Sequence, residues 1–286
     1  MIALVLAAGL GRRFGQEKQL TAVDDKGHCL LDYTLYDAHL CGVDEVVLVI
    51  RAEAEDLVRA TLVARLASHV RVRYACQTSP TMYGFEAGHP PLGTGHAFLC
   101  GAQDIRGAFI VCNADDFYGR ASIGQAVKCA EEGRFGCVVY PAGQTVGRDA
   151  VHRGICLCDE GRLTGICECT FGRDARGRLY AADATCRKYV REGVPVSMNL
   201  YAMGPAITAT AAQCFARFLE EGQAEECYLG DVVTAFAARP HTDIRVLRAR
   251  DRWMGMTYMS DLNAVRARLD ELVREGTYPR DLWGSL

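Results

Sequence analysis

The chain has 286 residues, half of them hydrophobic, a length that buries one sizeable core or two modest ones. Its 35 acidic and 32 basic residues leave a formal charge of -3, too even a balance to draw it to nucleic acid or an anionic membrane. No run approaches the roughly 20 apolar residues of a membrane-spanning helix, and the apolar Met1–Ala8 lacks the basic flank of a secretory signal, so a cytoplasmic protein without nucleic-acid or membrane partners is expected.

Apolar runs rich in Val, Ile and Leu predict strands at 2–8, 45–50, 70–75, 108–112 and 136–141. Helical periodicity predicts helices near 30–41, 53–66, 94–103 and 120–133. This alternation predicts an α/β fold with a Rossmann-like, doubly wound sheet, whose ligands bind outside the carboxyl ends of the strands. After about residue 141 the pattern changes. "GICLCDEGRLTGICEC" (154–169) reads as a hairpin turning at 159–162, a basic polar stretch starts at Arg173, and "VPVSMNLYAM" (194–203) reads as a strand. Helices follow at about 208–221, 228–238 and 261–275. The antiparallel strands of this half are expected on the same mixed sheet. Without an internal repeat or linker, one domain over 1–286 is the economical reading.

Fourteen cysteines are many for this length. Most, among them Cys41, Cys76, Cys100, Cys112, Cys137 and Cys214, are expected to be small apolar filler in a reducing compartment. Cys156, Cys158, Cys167 and Cys169 have a zinc-like spacing. A hairpin places Cys158 beside Leu163, and Cys169 then lies roughly 20 Å away at about 3.4 Å per residue, too far to share a metal. These cysteines are therefore expected to form an apolar face of the hairpin, with Glu168 pointing the other way into a cleft.

"LVLAAGLGRRFGQEKQL" (4–20) runs from a strand into Gly9 and Gly11. A dinucleotide fingerprint needs Gly or Ala where Phe14 stands, and no Gly-Lys-Ser/Thr follows to make a P-loop. What remains is a tight turn with main-chain N–H groups and the cations Arg12, Arg13 and Lys18. Such a loop suits cleavage of a triphosphate between its α and β phosphates, where charge builds on departing pyrophosphate. "CNADDFYG" (112–119) closes a strand with Asp115 and Asp116, hard oxygen donors suited to Mg2+ shared with substrate phosphates. "PLGTGHAFL" (91–99) supplies glycines before a helix.

On these segments the chain resembles the sugar-phosphate nucleotidyltransferases. "LAAGLGRRFG" followed by Lys18 matches their signature, which implies nucleotide contacts at Leu6, Ala8, Gly9 and Gly11, and catalytic roles for Arg13 and Lys18 on the triphosphate. The resemblance makes Asp115 the metal-binding, catalytic aspartate. "LGTGHA" is similar to a segment of N-acetylglucosamine-1-phosphate uridylyltransferases and implies base contacts at Gln77, Gly93 and Thr94. It implies acceptor contacts at Gly154, Glu168 and Asn199. The family's second metal-binding residue falls on Gly255, leaving Asp251 or Asp261 as replacements. The two halves then become a nucleotide-binding lobe, mainly 1–141, and an acceptor-binding lobe, mainly 142–286.

The function expected is Mg2+-assisted transfer from a nucleoside triphosphate, UTP first, to a sugar 1-phosphate, releasing pyrophosphate. The alternatives are cytidylyl or thymidylyl transfer to another sugar or alcohol phosphate, and a non-catalytic nucleotide-sugar sensor. Phe14 disfavours a nicotinamide-dependent dehydrogenase. The sequence assigns no oligomeric state.

Overall fold

The first strand, β1 (Ile2–Leu6), pairs on both sides and in parallel, with Leu4 opposite Val47 on one neighbour and Val111 on the other. The computed structural model describes residues 1–9, 20–147, 149–183, 186–222, 226–256 and 261–286. After β1 come α1 (Leu30–Leu40), β2 (Glu45–Ile50), α2 (Glu55–Val58), a π turn over Arg59–Val63, α3 (Ala64–Leu66) and β3 (Arg71–Cys76). Then follow α4 (Thr94–Ala102), β4 (Phe109–Asn113), β5 (Asp116–Phe117), α5 (Arg120–Glu131), β6 (Phe135–Pro141) and α6 (Ala142–Thr145). The second half holds β7 (Val151–Asp159), β8 (Arg162–Arg173), β9 (Leu179–Ala182), β10 (Arg187–Tyr189) and β11 (Pro195–Met203). It ends with α7 (Thr208–Glu221), α8 (Leu229–Ala237), β12 (Ile244–Arg248), β13 (Met254–Gly255) and α9 (Asp261–Arg274).

An 11-stranded sheet runs β10-β9-β8-β12-β6-β11-β4-β1-β2-β3, with β7 pairing both β11 and β8. The four strands β3, β2, β1 and β4 are parallel; β11 adds antiparallel to β4, and β6 antiparallel to β11. The sheet is therefore mixed, as expected. Its central strands are buried on both faces, which is why they read as continuous apolar runs. Ala3, Val5, Ile110 and Cys112 join one core with α1, α5 and α9. Leu4, Leu6, Phe109 and Val111 join the other with α4 and α8. On α9 the buried residues Leu262, Val265, Leu269 and Leu272 recur at helical spacing, giving it a single inward stripe.

The β7–β8 hairpin turns at Glu160 and Gly161, both with positive φ (44° and 82°), the conformation a two-residue hairpin loop requires. Cys158 lies opposite Leu163, as expected, and Cys169 lies opposite Arg153, past a one-residue shift of register. The cysteine face differs from expectation: Cys156 and Cys169 are buried, but Cys158 and Cys167 are exposed. The register shifts between Leu157 and Cys158, which separates the environments of Cys156 and Cys158; Cys167 and Cys169 lie in unbroken register, their sulfurs 3.8 Å apart, and differ only in how far the neighbouring chain covers them. Cys76 is also exposed, and Cys41, Cys100 and Cys214 are half-buried, so several of the expected filler cysteines are not fully enclosed. The basic stretch after Arg173 contains the β9–β10 ribbon. Three of its cations are engaged locally: Arg173 on Glu192, Arg178 on Asp174, and Arg187 over the Tyr180 ring. Among the described residues no helix is long and apolar enough to cross a membrane.

Candidate active site

The carboxyl end of β4 carries Asn113, Ala114, Asp115 and Asp116. The Ala114 N–H donates to Leu6 O (3.1 Å), and Asp115 O accepts from Met256 N–H (3.3 Å), so the turn is held between β1 and β13. Asp115 is half-buried and Asp116 buried. Asp116 Oδ2 accepts from Asn113 Nδ2 (2.8 Å). The Tyr118 hydroxyl lies 3.2 Å from the same oxygen and 2.7 Å from Met198 O, which share its proton, and it accepts from Asn113 N–H (2.9 Å). Burial, aided by the Asp116 charge, pushes the Tyr118 phenol far up, so it remains a donor. Asn199 enters from β11, its Nδ2 donating to Asn113 Oδ1 (3.3 Å). Its φ of 61° falls where the β11–β6 register breaks between Ser197 and Tyr201. Asn tolerates this left-handed conformation better than most residues, and its position inside an otherwise apolar strand breaks the regular ladder to aim an amide at the strand end.

Beside Asn199, Ser197 pairs with Gly154, and Gly154 pairs across the hairpin with Glu168. A Cβ on Gly154 would lie 2.9 Å from Glu168 Oε1, and one on Gly230 of α8 would lie at the same distance. The Glu168 carboxyl thus occupies a slot kept open by two glycines. Burial raises its pKa to about 6; Asp231 raises it further and Arg153 lowers it. The strand pairing therefore sets Gly154 beside Glu168 and two residues from Asn199 on the neighbouring strand. Gly230 and Arg153 were not legible as site residues in the sequence.

On the opposite side, Ala7 N–H donates to Val49 O (2.8 Å), and Leu6, Ala7 and Ala8 lead to the exposed Gly9. Gly11, Arg13 and Lys18 lie outside the described residues. Gln77, just past β3, donates Nε2 to Gly93 O and to His96 Nδ1, each at 3.2 Å. Thr94 Oγ1 accepts from Leu229 N–H (2.9 Å). His96 is fully buried, stacked on Phe215 at 4.3 Å and edge-on to Tyr83. Burial pulls its pKa down to about 4, so the ring is neutral and its Nδ1 can accept from Gln77. Gln77, Gly93 and Thr94 therefore form one contiguous surface.

Gly93 has φ 95°, and a Cβ there would lie 2.5 Å from Cys227 O. Both the backbone conformation and the contact exclude a side chain. Gly93→Ala is expected to lower unfolding stability by about 3 kcal/mol, read as a lower urea midpoint at unchanged slope. A midpoint equal to wild type would show that this contact relaxes freely.

The candidates for the second metal position differ in what they can offer. Gly255 pairs with Asp116 across β13–β5, and a Cβ there would lie 2.2 Å from the Trp253 ring and 2.7 Å from Asp116 Oδ1. No carboxylate fits at that position without displacing both neighbours. Asp251 accepts from Ser122 N–H (2.7 Å) and Ser122 Oγ (2.9 Å), satisfying the first turn of α5. Asp261 begins α9 and lines a cavity of about 490 Å³ with Arg153, Trp253 and Gly255. For Mg2+, which takes one or two carboxylates and completes its shell with water and phosphate oxygens, the donor set around Asp115 is chemically suitable.

Residues 3–165 match the family model described as MobA-like NTP transferase domain. Many solved structures share the fold, among them the following two. One, titled inositol-1-phosphate CTP transferase from T. maritima, is 16% identical, with a TM-score of 0.63 over 94% of this chain and 96% of that one. The other, titled UDP-glucose pyrophosphorylase complexed with UDP-glucose, is also 16% identical, with a TM-score of 0.64 over 94% and 98%. No curated protein matches this chain.

Proposed function

Because the chain belongs to the MobA-like NTP transferase domain family, we propose that it joins the α-phosphate of an NTP to the phosphate of a sugar and releases pyrophosphate. An acceptor phosphate oxygen attacks the α-phosphorus in line; the new P–O bond forms as the bond to the β-phosphate's bridging oxygen breaks, and pyrophosphate leaves with that electron pair. The observation carrying this reading is the contact of Asn113 with both Asp116 and Asn199 beside Asp115, with the Gly154–Glu168 slot adjoining.

Asp115 would hold Mg2+, which supplies positive charge to the reacting phosphates. Asp251, bonded to Ser122, and Asp261, which lines the cavity shared with Gly255, are the two candidates for a second ligand. Family resemblance assigns Arg13 and Lys18 to the triphosphate. Gln77, Gly93 and Thr94 form the base site, and Gly154, Glu168 and Asn199 the acceptor site. Residues 1–141 then supply mainly the nucleotide lobe, 142–286 mainly the acceptor lobe, working in the cytoplasm.

UTP with a hexose 1-phosphate is the first pairing to test, in line with the neighbour named for UDP-glucose. CTP with an alcohol phosphate is the second, in line with the neighbour named for inositol 1-phosphate. The experiment incubates protein and Mg2+ with each NTP against a panel of sugar and alcohol phosphates, following pyrophosphate and product mass. Coupled appearance of both products is expected. Nucleotide binding without turnover across the panel would replace this reading with a non-catalytic sensor, for which the glycine at 255 is the motivating feature.

With a pKa of about 6, Glu168 is ionised at neutral pH and can accept hydrogen bonds from acceptor hydroxyls. As pH falls below that value, kcat/KM for the acceptor is expected to drop, approaching about tenfold per unit, with the limb absent in Glu168→Gln. The effect on stability has the opposite sign. A carboxyl whose folded pKa is raised stabilises below its unfolded pKa, and loses that contribution as pH rises through the folded value. Glu168→Gln should therefore gain about 2 kcal/mol over wild type between pH 4 and pH 8. Superimposable pH profiles for the two proteins would remove Glu168 from the acceptor site.

A further inference from the structure

The cavity between the β6–β7 connection, β13 and α9 is lined by Arg153 and Trp253, each of which carries a buried donor, Nε and Nε1 respectively, without a partner among the described residues. Buried N–H groups are nearly always bonded, so two neighbouring orphans need a reason. They sit together, with the Arg153 guanidinium 5.1 Å from the Trp253 ring centroid. The guanidinium is already oriented by the chain, with Nη1 donating to His152 O (2.8 Å) and Nη2 to Thr145 O (2.9 Å). Neither partner is charged. Burial lowers the Arg153 pKa, opposed by the charges of Asp116, Asp115, Glu168 and Asp261. An oriented guanidinium on a residue that lines an open cavity suits an oxyanion, which accepts directional, charge-assisted hydrogen bonds.

Its place in the fold says whose oxyanion. Gly154, the next residue, opens the slot around Glu168, and Gly255, lining the same cavity, pairs with Asp116. We propose that Arg153 and Trp253 form an oxyanion subsite that positions the acceptor, taking its phosphate or a carboxylate it carries. Only the word acceptor rests on the nucleotidyl-transfer reading. The nearby carboxylates fit this role, because Arg153 offsets their repulsion toward an anionic substrate.

The two tryptophans give a readout independent of turnover. Trp283 Nε1 donates to Asp32 (2.9 Å) and serves as the internal control. In ¹⁵N-labelled protein, the Trp253 indole peak, assigned with Trp253→Phe, is followed during titration with inorganic phosphate and, separately, with glucuronate. A saturable shift with phosphate assigns the acceptor phosphate to the subsite; one with glucuronate alone assigns a second acidic group. Either shift should weaken by about tenfold in Arg153→Gln and partly recover in Arg153→Lys, while the Trp283 peak stays fixed. In turnover, Arg153→Gln should raise acceptor KM by about tenfold and leave NTP KM within about twofold. A Trp253 peak that ignores both anions, or that shifts equally in Arg153→Gln, overturns the subsite. A group serving only to offset carboxylates would alter the Mg2+ requirement and give no anion-dependent shift. Turnover without the shift sinks the subsite alone; the shift without turnover sinks the enzymatic reading alone.

Discussion

Asp115→Ala is expected to lose metal-dependent pyrophosphate release by about 10³-fold or more while keeping a wild-type melting curve. The loss follows from removing the hard oxygen donor at the carboxyl end of β4, where ligands of such sheets bind. The fold should survive because this turn is held by main chain: Ala114 N–H on Leu6 O and Met256 N–H on Asp115 O, neither of which needs the side chain. Asp116 offers no substitute without cost, since its Oδ2 already accepts from Asn113 and Tyr118. Activity and circular-dichroism melts on the same preparation check this. An Asp115→Ala variant that turns over at the wild-type rate would remove Asp115 from the chemistry.

The largest stability effect should come from a residue far from the chemistry. Asp32, fully buried in α1, takes both Arg65 Nε (3.1 Å) and Nη2 (2.6 Å), the Trp283 indole N–H (2.9 Å) and Cys29 N–H (2.8 Å). It joins the helix start, the segment after the π turn, and the chain's last turn. Asp32→Ala leaves a partly buried guanidinium and two buried N–H groups without their acceptor, a loss of about 4 kcal/mol. For a chain of this size that corresponds to a melting-temperature drop of roughly 7 °C, measurable by calorimetry. A drop below about 1 °C would mean that water replaces the carboxylate freely.

The strands that position the site were legible because burial on both faces forces unbroken apolar runs. Expected strands at 45–50 and 108–112 became Glu45–Ile50 and Phe109–Asn113. The hairpin was legible through its polar turn at 159–162, and Glu168 and Asn199 through the family resemblance, with an amide inside an apolar strand as added support for Asn199. Shorter elements carried no such signal. β12, "IRVLR", mixes arginine with apolar residues on a sheet path that packing alone decides. β5 and β13 are two residues each, too short for periodicity, yet they place Gly255 against Asp116. Arg153 and Trp253 are far apart in sequence, and their shared cavity exists only once β13 and α9 pack beside the hairpin. Asp251 and Asp261 stood as alternatives because both lie near Gly255 in sequence; only the packing places Asp251 on Ser122 and Asp261 in the cavity lining.

The most direct test of attack by the acceptor phosphate on the α-phosphorus uses an acceptor whose phosphate carries ¹⁸O in its three non-bridging oxygens, with turnover products weighed by mass spectrometry. All the label should stay in the NDP-linked product, one atom in the new bridge, and pyrophosphate should be unlabelled. Label recovered in pyrophosphate, or pyrophosphate released while the acceptor remains unmodified, would contradict that attack.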